Sequence, residues 1–147
     1  MKPTKSFHGE ANPAECLQVI AFCRKLIANR VGPAEITILS PYKQQKALIT
    51  KECASENLLI DVYTVDEFQG KENDVILLSL AFSGASPSAF LCDERRVNVM
   101  TSRSKRLFVL FANLQSLSSS PDWKKLIDMM SPLEQSYSSS LISEPLP

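Results

Sequence analysis

The chain has 147 residues, of which 44% are hydrophobic and 22% are charged, a composition typical of one globular domain. Its 16 Lys and Arg residues equal its 16 Asp and Glu residues, which excludes the global basic field of many self-sufficient nucleic-acid binders. No apolar run approaches the roughly 18 residues of a membrane span, and residues 1–9 are too polar for a signal peptide. We therefore expect an intracellular protein, of the cytoplasm or the nucleus, with no membrane partner.

The first half of the chain predicts a helix, a strand and a second helix. Apolar residues recur at helical spacing over residues 14–28, with Asn12 as a cap and Pro13 at the first helical position. The β-branched run at residues 35–40 predicts a short strand. Pro41 then opens a helical pattern that continues to about residue 55.

The second half predicts further strands, two more helices and a tail. Residues 58–65 and 74–82 are typical of strands, and the second is apolar enough to be covered on both faces. A helical pattern spans residues 94–103, and residues 107–113 form another continuous apolar strand. A last helix covers residues 121–130, after which the Ser/Pro-rich sequence has no periodicity and is expected to be flexible.

The four cysteines and the single histidine are scattered along the chain. They form no CxxC pair and no cluster with the spacing of zinc ligands. We therefore expect buried, reduced thiols and no metal site among these residues.

Strands that alternate with helices predict an α/β fold with a parallel sheet. Ligands of such folds bind outside the carboxyl ends of the strands, so the segments around the strand ends carry the candidate site. A basic segment before the last strand has five Lys and Arg residues within twelve positions. On a helix, Arg96 and Arg103 would share one face and suit a polyanion such as a nucleotide triphosphate. The alternative is a solvated basic helix end.

Three segments, SPYKQQ, TVDEFQGKENDVILLS and RRVNVMTSRSKRLFVLFAN, occur in this order. They resemble motifs IV, V and VI of superfamily 1 helicases, in the group that includes senataxin and the nonsense-mediated-decay helicase. The resemblance implies a RecA-like P-loop NTPase fold, with a parallel β-sheet flanked by helices, in the C-terminal motor domain that lacks its own Walker A sequence. It divides the chain into an N-terminal extension (1–8), the second RecA-like domain (9–130) and a flexible tail (131–147).

The resemblance also implies a nucleotide side and a nucleic-acid side. Arg103 would be the catalytic arginine finger that places positive charge on the γ-phosphate. The residues expected at the nucleotide are Tyr42, Gln45, Gln69, Gly70, Glu72, Arg96 and Arg103. Those expected near single-stranded RNA or DNA are Thr64, Val65 and Asp66.

Each nucleotide residue has an expected role. Tyr42 would lie against the base or sugar, with Gln45 supporting its loop, and Glu72 would accept a hydrogen bond from the ribose. Gly70 would permit a tight turn, and Gln69 would couple the nucleotide to the nucleic-acid side. Arg96 would position the same loop or the phosphates. Purely structural interpretations remain for Tyr42, Glu72 and Arg96.

The chain departs from the family pattern in two ways. Thr101 and Ser104 stand where an aliphatic residue and an alanine are usual, which is neutral if their hydroxyls bond back to helix carbonyls. The chain also contains no G-x-x-x-x-G-K-[ST] sequence and no D-E pair after an apolar strand. The resemblance implies ATP with Mg²⁺ as the cofactor, and since these two sequences are absent, the metal would be held by a first RecA-like domain, upstream in the same chain or in another.

Two functions stay open at this point. The first is the C-terminal motor domain of an ATP-dependent RNA or DNA helicase, with the isolated chain inactive as an ATPase. The second is a non-catalytic helicase-like domain, fragmentary or degenerate, that binds nucleic acid or protein.

Overall fold

Four parallel strands form the centre of the sheet in the computed structural model, which describes residues 11–81, 91–132 and 140–143. They are β1 (Ile36–Ser40), β2 (Asp61–Thr64), β3 (Asn73–Ser79) and β4 (Ser104–Phe111). Their order across the sheet is β2-β1-β3-β4, and each neighbouring pair is parallel. The parallel α/β architecture predicted from the sequence is thus confirmed, and it is that of a RecA-like domain.

Helices connect and cover these strands. They are α1 (Pro13–Ala28), α2 (Lys43–Ser55), α3 (Glu94–Thr101), α4 (Leu114–Leu117) and α5 (Pro121–Asp128). The predicted start of α1 is confirmed, because Asn12 Oδ1 accepts a hydrogen bond from Glu15 N at 3.0 Å and Pro13 follows the cap. Among the described residues, no helix is long and apolar enough to cross a membrane.

The two faces of the sheet bury separate hydrophobic cores. Successive residues of β4 show the alternation: Phe108 and Leu110 face one core, and Val109 and Phe111 face the other. Helices α1 and α2 cover the second core with residues such as Cys16, Val19, Ile20, Ile49 and Cys53. The first core lies under α3, α4, α5 and the connection between β2 and β3. The strands β3 and β4 are therefore buried on both faces, as their apolar sequences predict.

The structure corrects the boundary between α3 and β4. The sequence predicts a helix that continues through Arg103, whereas α3 ends at Thr101 and β4 begins at Ser104. The strand begins early because Ser104 pairs with Asn73 at the amino end of β3. Arg103 therefore lies in the connection between the two elements, and the prediction that it shares a helix face with Arg96 is wrong.

Two short strands follow the last helix, β5 (Ser131–Pro132) and β6 (Ser140–Ser143). Strand β6 pairs antiparallel with β4, and β5 pairs antiparallel with β6. Both lie within residues 131–147, the tail that the sequence predicts to be flexible. The other residues of that tail, and the N-terminal extension at 1–8, lie outside the described residues.

Candidate nucleotide and nucleic-acid interface

The segment after β2, residues 65–72, is called the motif V loop here, and it starts in a tight hydrogen-bonded turn. Thr64 N donates to Glu67 Oε1 at 2.8 Å, and Glu67 N donates to Thr64 Oγ1 at 3.2 Å. Lys46 Nζ also donates to Glu67 Oε1 at 2.8 Å. This hydrogen bond is the largest cause of the lowered pKa of Glu67, and the hydrogen bond from Thr64 N is the second. Thr64 is only 8% exposed, so its hydroxyl and its N–H serve the turn.

The rest of the loop alternates buried anchors with exposed polar residues. Val65 and Phe68 are buried in the core beneath α3, whereas Asp66 and Gln69 are exposed. Gly70 has a φ of 84°, a left-handed conformation that favours glycine. Apart from Gly70 itself and its two chain neighbours, no described residue has a heavy atom within 4 Å of the position that a Cβ at Gly70 would occupy. The glycine therefore serves the turn, and no described residue makes a close approach there.

A pocket of about 240 Å³ lies between the motif V loop and the start of α3. Its lining residues are Val65, Asp66, Gln69, Asp93, Arg95, Arg96 and Val99. Arg96 Nη2 lies 3.6 Å from Asp66 Oδ2, and Arg96 Nη1 lies 3.5 Å from Asp93 Oδ2. The structure thus brings together residues that the sequence assigns to both sides of the site, namely Val65, Asp66, Gln69 and Arg96.

Three residues of this pocket, Asp93, Arg95 and Val99, were not assigned to the site from the sequence. The one that pairs with Arg96 is Asp93. It is the N-cap of α3, where its Oδ1 accepts hydrogen bonds from Arg95 N at 2.9 Å and from Arg96 N at 3.4 Å. An aspartate directly before a helical pattern is a recognised capping signal. That signal was present, but it carries no information about the ion pair with Arg96.

The other end of the loop, at Glu72, lies next to a backbone hydrogen bond to Arg103. Asn73 N, next to Glu72, donates to Arg103 O at 3.2 Å. The Nε of Arg103 is buried, and it has no hydrogen-bond partner among the described residues. Glu72 is exposed. The carboxylate of Glu72 and the guanidinium of Arg103 therefore belong to neighbouring backbone segments at the amino ends of β3 and β4.

Tyr42 and Gln45 lie apart from this pocket and are buried. Tyr42 is 2% exposed and packs in the core beneath α3. Gln45 is 0% exposed, and its Nε2 donates to Ser79 Oγ at 3.0 Å and to Asn12 O at 3.2 Å. Its Oε1 accepts from Asn12 N at 2.7 Å. In this arrangement, Gln45 ties the start of α1 to the end of β3.

Glu15 extends this buried network. Its Oε1 accepts hydrogen bonds from Ser79 Oγ at 2.6 Å and from Ala81 N at 2.7 Å. Burial raises the pKa of Glu15 from 4.5 to about 7, against the lowering effect of those two hydrogen bonds. Ala81 has a φ of 54°, an unusual value for a residue other than glycine. The network therefore holds a strained residue at the carboxyl end of β3.

The two departures from the family pattern have different outcomes. Thr101 Oγ1 donates to Val97 O at 2.8 Å, so its hydroxyl bonds back to the helix as expected. Ser104 is the first residue of β4 and does not lie on the helix. Within the part of the chain that the structure describes, no three His, Cys, Asp or Glu side chains could hold a metal ion.

Comparison with known proteins finds a family and several relatives. The family described as AAA domain matches residues 2–115. The helicase required for RNAi-mediated heterochromatin assembly 1 of Schizosaccharomyces pombe is 38% identical over 131 residues, which cover 84% of this chain and 13% of that protein. The regulator of nonsense transcripts 1 homolog of Arabidopsis thaliana is 33% identical over 124 residues, covering 79% of this chain and 10% of that protein.

A third relative has lower identity over a similar span. The DNA replication ATP-dependent helicase/nuclease DNA2 of Homo sapiens is 29% identical over 122 residues, which cover 82% of this chain and 12% of that protein. The chain therefore spans only a small part of the length of the curated relatives that it matches.

Proposed function

This chain belongs to the AAA-domain family of superfamily 1 helicases, as a second RecA-like domain of the senataxin-like group, and from that premise we propose its function. It is the C-terminal motor domain of an ATP-dependent RNA or DNA helicase. It completes an ATP site with Arg103 and contacts single-stranded nucleic acid through the start of the motif V loop. A first RecA-like domain supplies the phosphate loop.

The observation that carries the proposal is the junction between Asn73 N and Arg103 O, 3.2 Å apart. This bond joins the backbone next to Glu72 to Arg103, which supports a proposal in which Glu72 contacts the ribose and Arg103 is the arginine finger. The planar guanidinium of Arg103 suits the oxygens of a phosphate group. ATP with Mg²⁺ supplies the scissile phosphate, and Arg103 stabilises the negative charge that develops on it.

Magnesium belongs to the other domain in this proposal. The described residues offer no cluster of three or more metal ligands, and Arg103 brings positive charge to the nucleotide, not a ligand for the metal. Gln69 lines the pocket, Gly70 follows it toward Glu72, and in this proposal the two residues link the two sides of the site. The nucleotide roles of Tyr42 and Gln45 have less support, because both side chains are buried.

On the nucleic-acid side, the chemistry of the loop favours Asp66. The N–H groups of Thr64 and Val65 are occupied, since they donate to Glu67 Oε1 and to Ser40 O. The carboxylate of Asp66 is exposed and can only accept hydrogen bonds. Its natural partner on a nucleic acid is therefore a sugar hydroxyl or a base amine and not a phosphate.

The arginine finger is tested by Arg103→Ala in the longest reading frame that encodes this chain. RNA-stimulated kcat should fall roughly a thousandfold while the affinity for a non-hydrolysable ATP analogue stays nearly the same, because the finger acts on transition-state charge. Arg106→Ala is the matched control, since Arg106 is an exposed arginine three residues further along the chain, on β4. Unchanged turnover in Arg103→Ala would contradict the assignment.

The non-catalytic alternative is tested on the 147-residue chain. Fluorescence anisotropy with single-stranded RNA and with single-stranded DNA, at moderate salt, should show weak binding at best, because many phosphate contacts belong to the first domain. Tight binding by the chain alone, together with no ATPase activity in the longest reading frame, would favour the binding module over the motor domain.

A further inference from the structure

Two contacts join the chain from the motif V loop into β3 to the chain from α3 into the connection that follows it. At one end, Asp66 Oδ2 lies 3.6 Å from Arg96 Nη2. Seven residues further along each segment, Asn73 N donates to Arg103 O at 3.2 Å. The two contacts align the motif V loop with the segment from Arg96 to Arg103, with the same spacing of seven residues on each side.

Arg96 is also fixed from the start of its own helix. Asp93 Oδ2 lies 3.5 Å from Arg96 Nη1, while Asp93 Oδ1 accepts hydrogen bonds from two backbone N–H groups. One planar guanidinium therefore bridges two carboxylates, a geometry that lysine does not reproduce. Because the backbone anchors Asp93, the bridge ties Asp66 to the helix and not to a freely rotating side chain.

The charges around this pocket argue against a phosphate subsite. Its lining combines two carboxylates, from Asp66 and Asp93, with two guanidiniums, from Arg95 and Arg96, so the formal charges cancel. An anion would have to displace a carboxylate from Arg96. The side chains of Asp66 and Arg96 are 67% and 30% exposed, and ion pairs this exposed add little to stability. We therefore explain the ion pair between Asp66 and Arg96 by the orientation that it gives to Arg96, and not by a gain in stability or by anion binding.

We propose that Asp66, Arg96 and Asp93 form a clamp that positions Arg103 and passes a movement of Asp66 to it. In this clamp Arg96 acts through Arg103 and does not touch the phosphates, so all three members are positioning residues. The inference rests on the proposed function, because it takes Arg103 as the arginine finger. Contact of Asp66 with nucleic acid would then change the geometry at the nucleotide.

A double-mutant cycle tests the clamp. Asp66→Asn, Arg96→Gln and the double variant are assayed in the longest reading frame that encodes this chain, at saturating single-stranded RNA. Each single change should lower kcat about two- to fivefold with an unchanged KM for ATP, the range expected for one exposed ion pair. The double variant should be no slower than the slower single variant, because both changes remove the same interaction.

Two outcomes of the cycle would overturn the clamp. Effects that multiply in the double variant would mean that Asp66 and Arg96 act independently. A raised KM with unchanged kcat in Arg96→Gln would place Arg96 on the nucleotide itself. The matched control is the exposed ion pair between Arg24 and Glu56, which joins α1 to the end of α2. Arg24→Gln and Glu56→Gln should both leave kcat unchanged.

A measurement on the 147-residue chain separates this inference from the proposed function. In ¹⁵N-resolved NMR spectra, Asp66→Asn should shift the amide signals of Asn73 and Arg103, whereas Glu56→Gln should leave them in place. Unshifted signals would overturn the clamp, whatever the ATPase activity. Shifted signals together with an inactive wild-type enzyme would overturn the proposed function but support the clamp.

Discussion

Glu15 is a carboxyl group in a place where negative charge is costly. The residue is 6% exposed, and burial raises its pKa from 4.5 to about 7. Between these two values the folded chain holds a proton that the unfolded chain has released. The contribution of Glu15 to stability is therefore fully present below about pH 4.5 and is lost as the pH rises through 7.

Glu15→Gln should remove this pH dependence, because glutamine keeps an oxygen that can accept from Ser79 and Ala81 but has no charge to desolvate. From pH 5 to pH 8 the variant should gain up to roughly 3 kcal/mol over the wild type in free energy of unfolding. Urea denaturation at several pH values measures this. Glu94→Gln is the control, because Glu94 is exposed in the first turn of α3. Parallel pH profiles for Glu15→Gln and the wild type would contradict a raised pKa of Glu15.

The roles of single residues were only partly readable from the sequence. The motifs predicted roles for Glu72 and Arg103, and the structure joins Asn73, the residue after Glu72, to Arg103 by a backbone hydrogen bond. The same spacing gave no warning that Gln45 is fully buried, because its partners Asn12 and Ser79 lie 33 and 34 residues away. Local patterns report a residue's own element, whereas burial depends on such long-range contacts.

At the scale of elements, the periodicity of apolar residues predicted most helices and strands. The predicted boundaries are wrong where strand pairing decides the end of an element. No Gly or Pro marks the end of α3, so the helical pattern predicted a helix through Arg103. The strand pairing of Ser104 with Asn73 ends it earlier. Tertiary hydrogen bonding therefore overrides local propensity at the position that carries the proposed catalytic residue.

The sequence pattern in the turn after β2 has two interpretations. The sequence Thr64-Val65-Asp66-Glu67 fits the S/T-x-x-E capping box, and the reciprocal hydrogen bonds between Thr64 and Glu67 have that form. Family resemblance pointed instead to a nucleic-acid contact at Thr64. The structure gives its polar groups a local role, and this moves the proposed contact to Asp66.

At the scale of the whole molecule, β6 protects the edge of the parallel sheet. Strand β4 is the last parallel strand, and its outer edge pairs with β6 from Phe108, opposite Ser143, to Phe111, opposite Ser140. Without β6, the N–H and C=O groups along this edge would be unpaired next to a largely apolar sequence. Such an edge is a template for pairing with another chain.

A chain that ends after Pro132 should therefore self-associate. The matched control is a chain that ends after Ser143, which retains β6 and its pairing with β4. Size-exclusion chromatography with light scattering, over a range of concentrations, should give a larger and concentration-dependent mass for the shorter chain, because its unpaired edge can recruit a second β4. Equal masses for the two chains at every concentration would mean that β6 is dispensable. In that case, the sheet must protect its edge in another way.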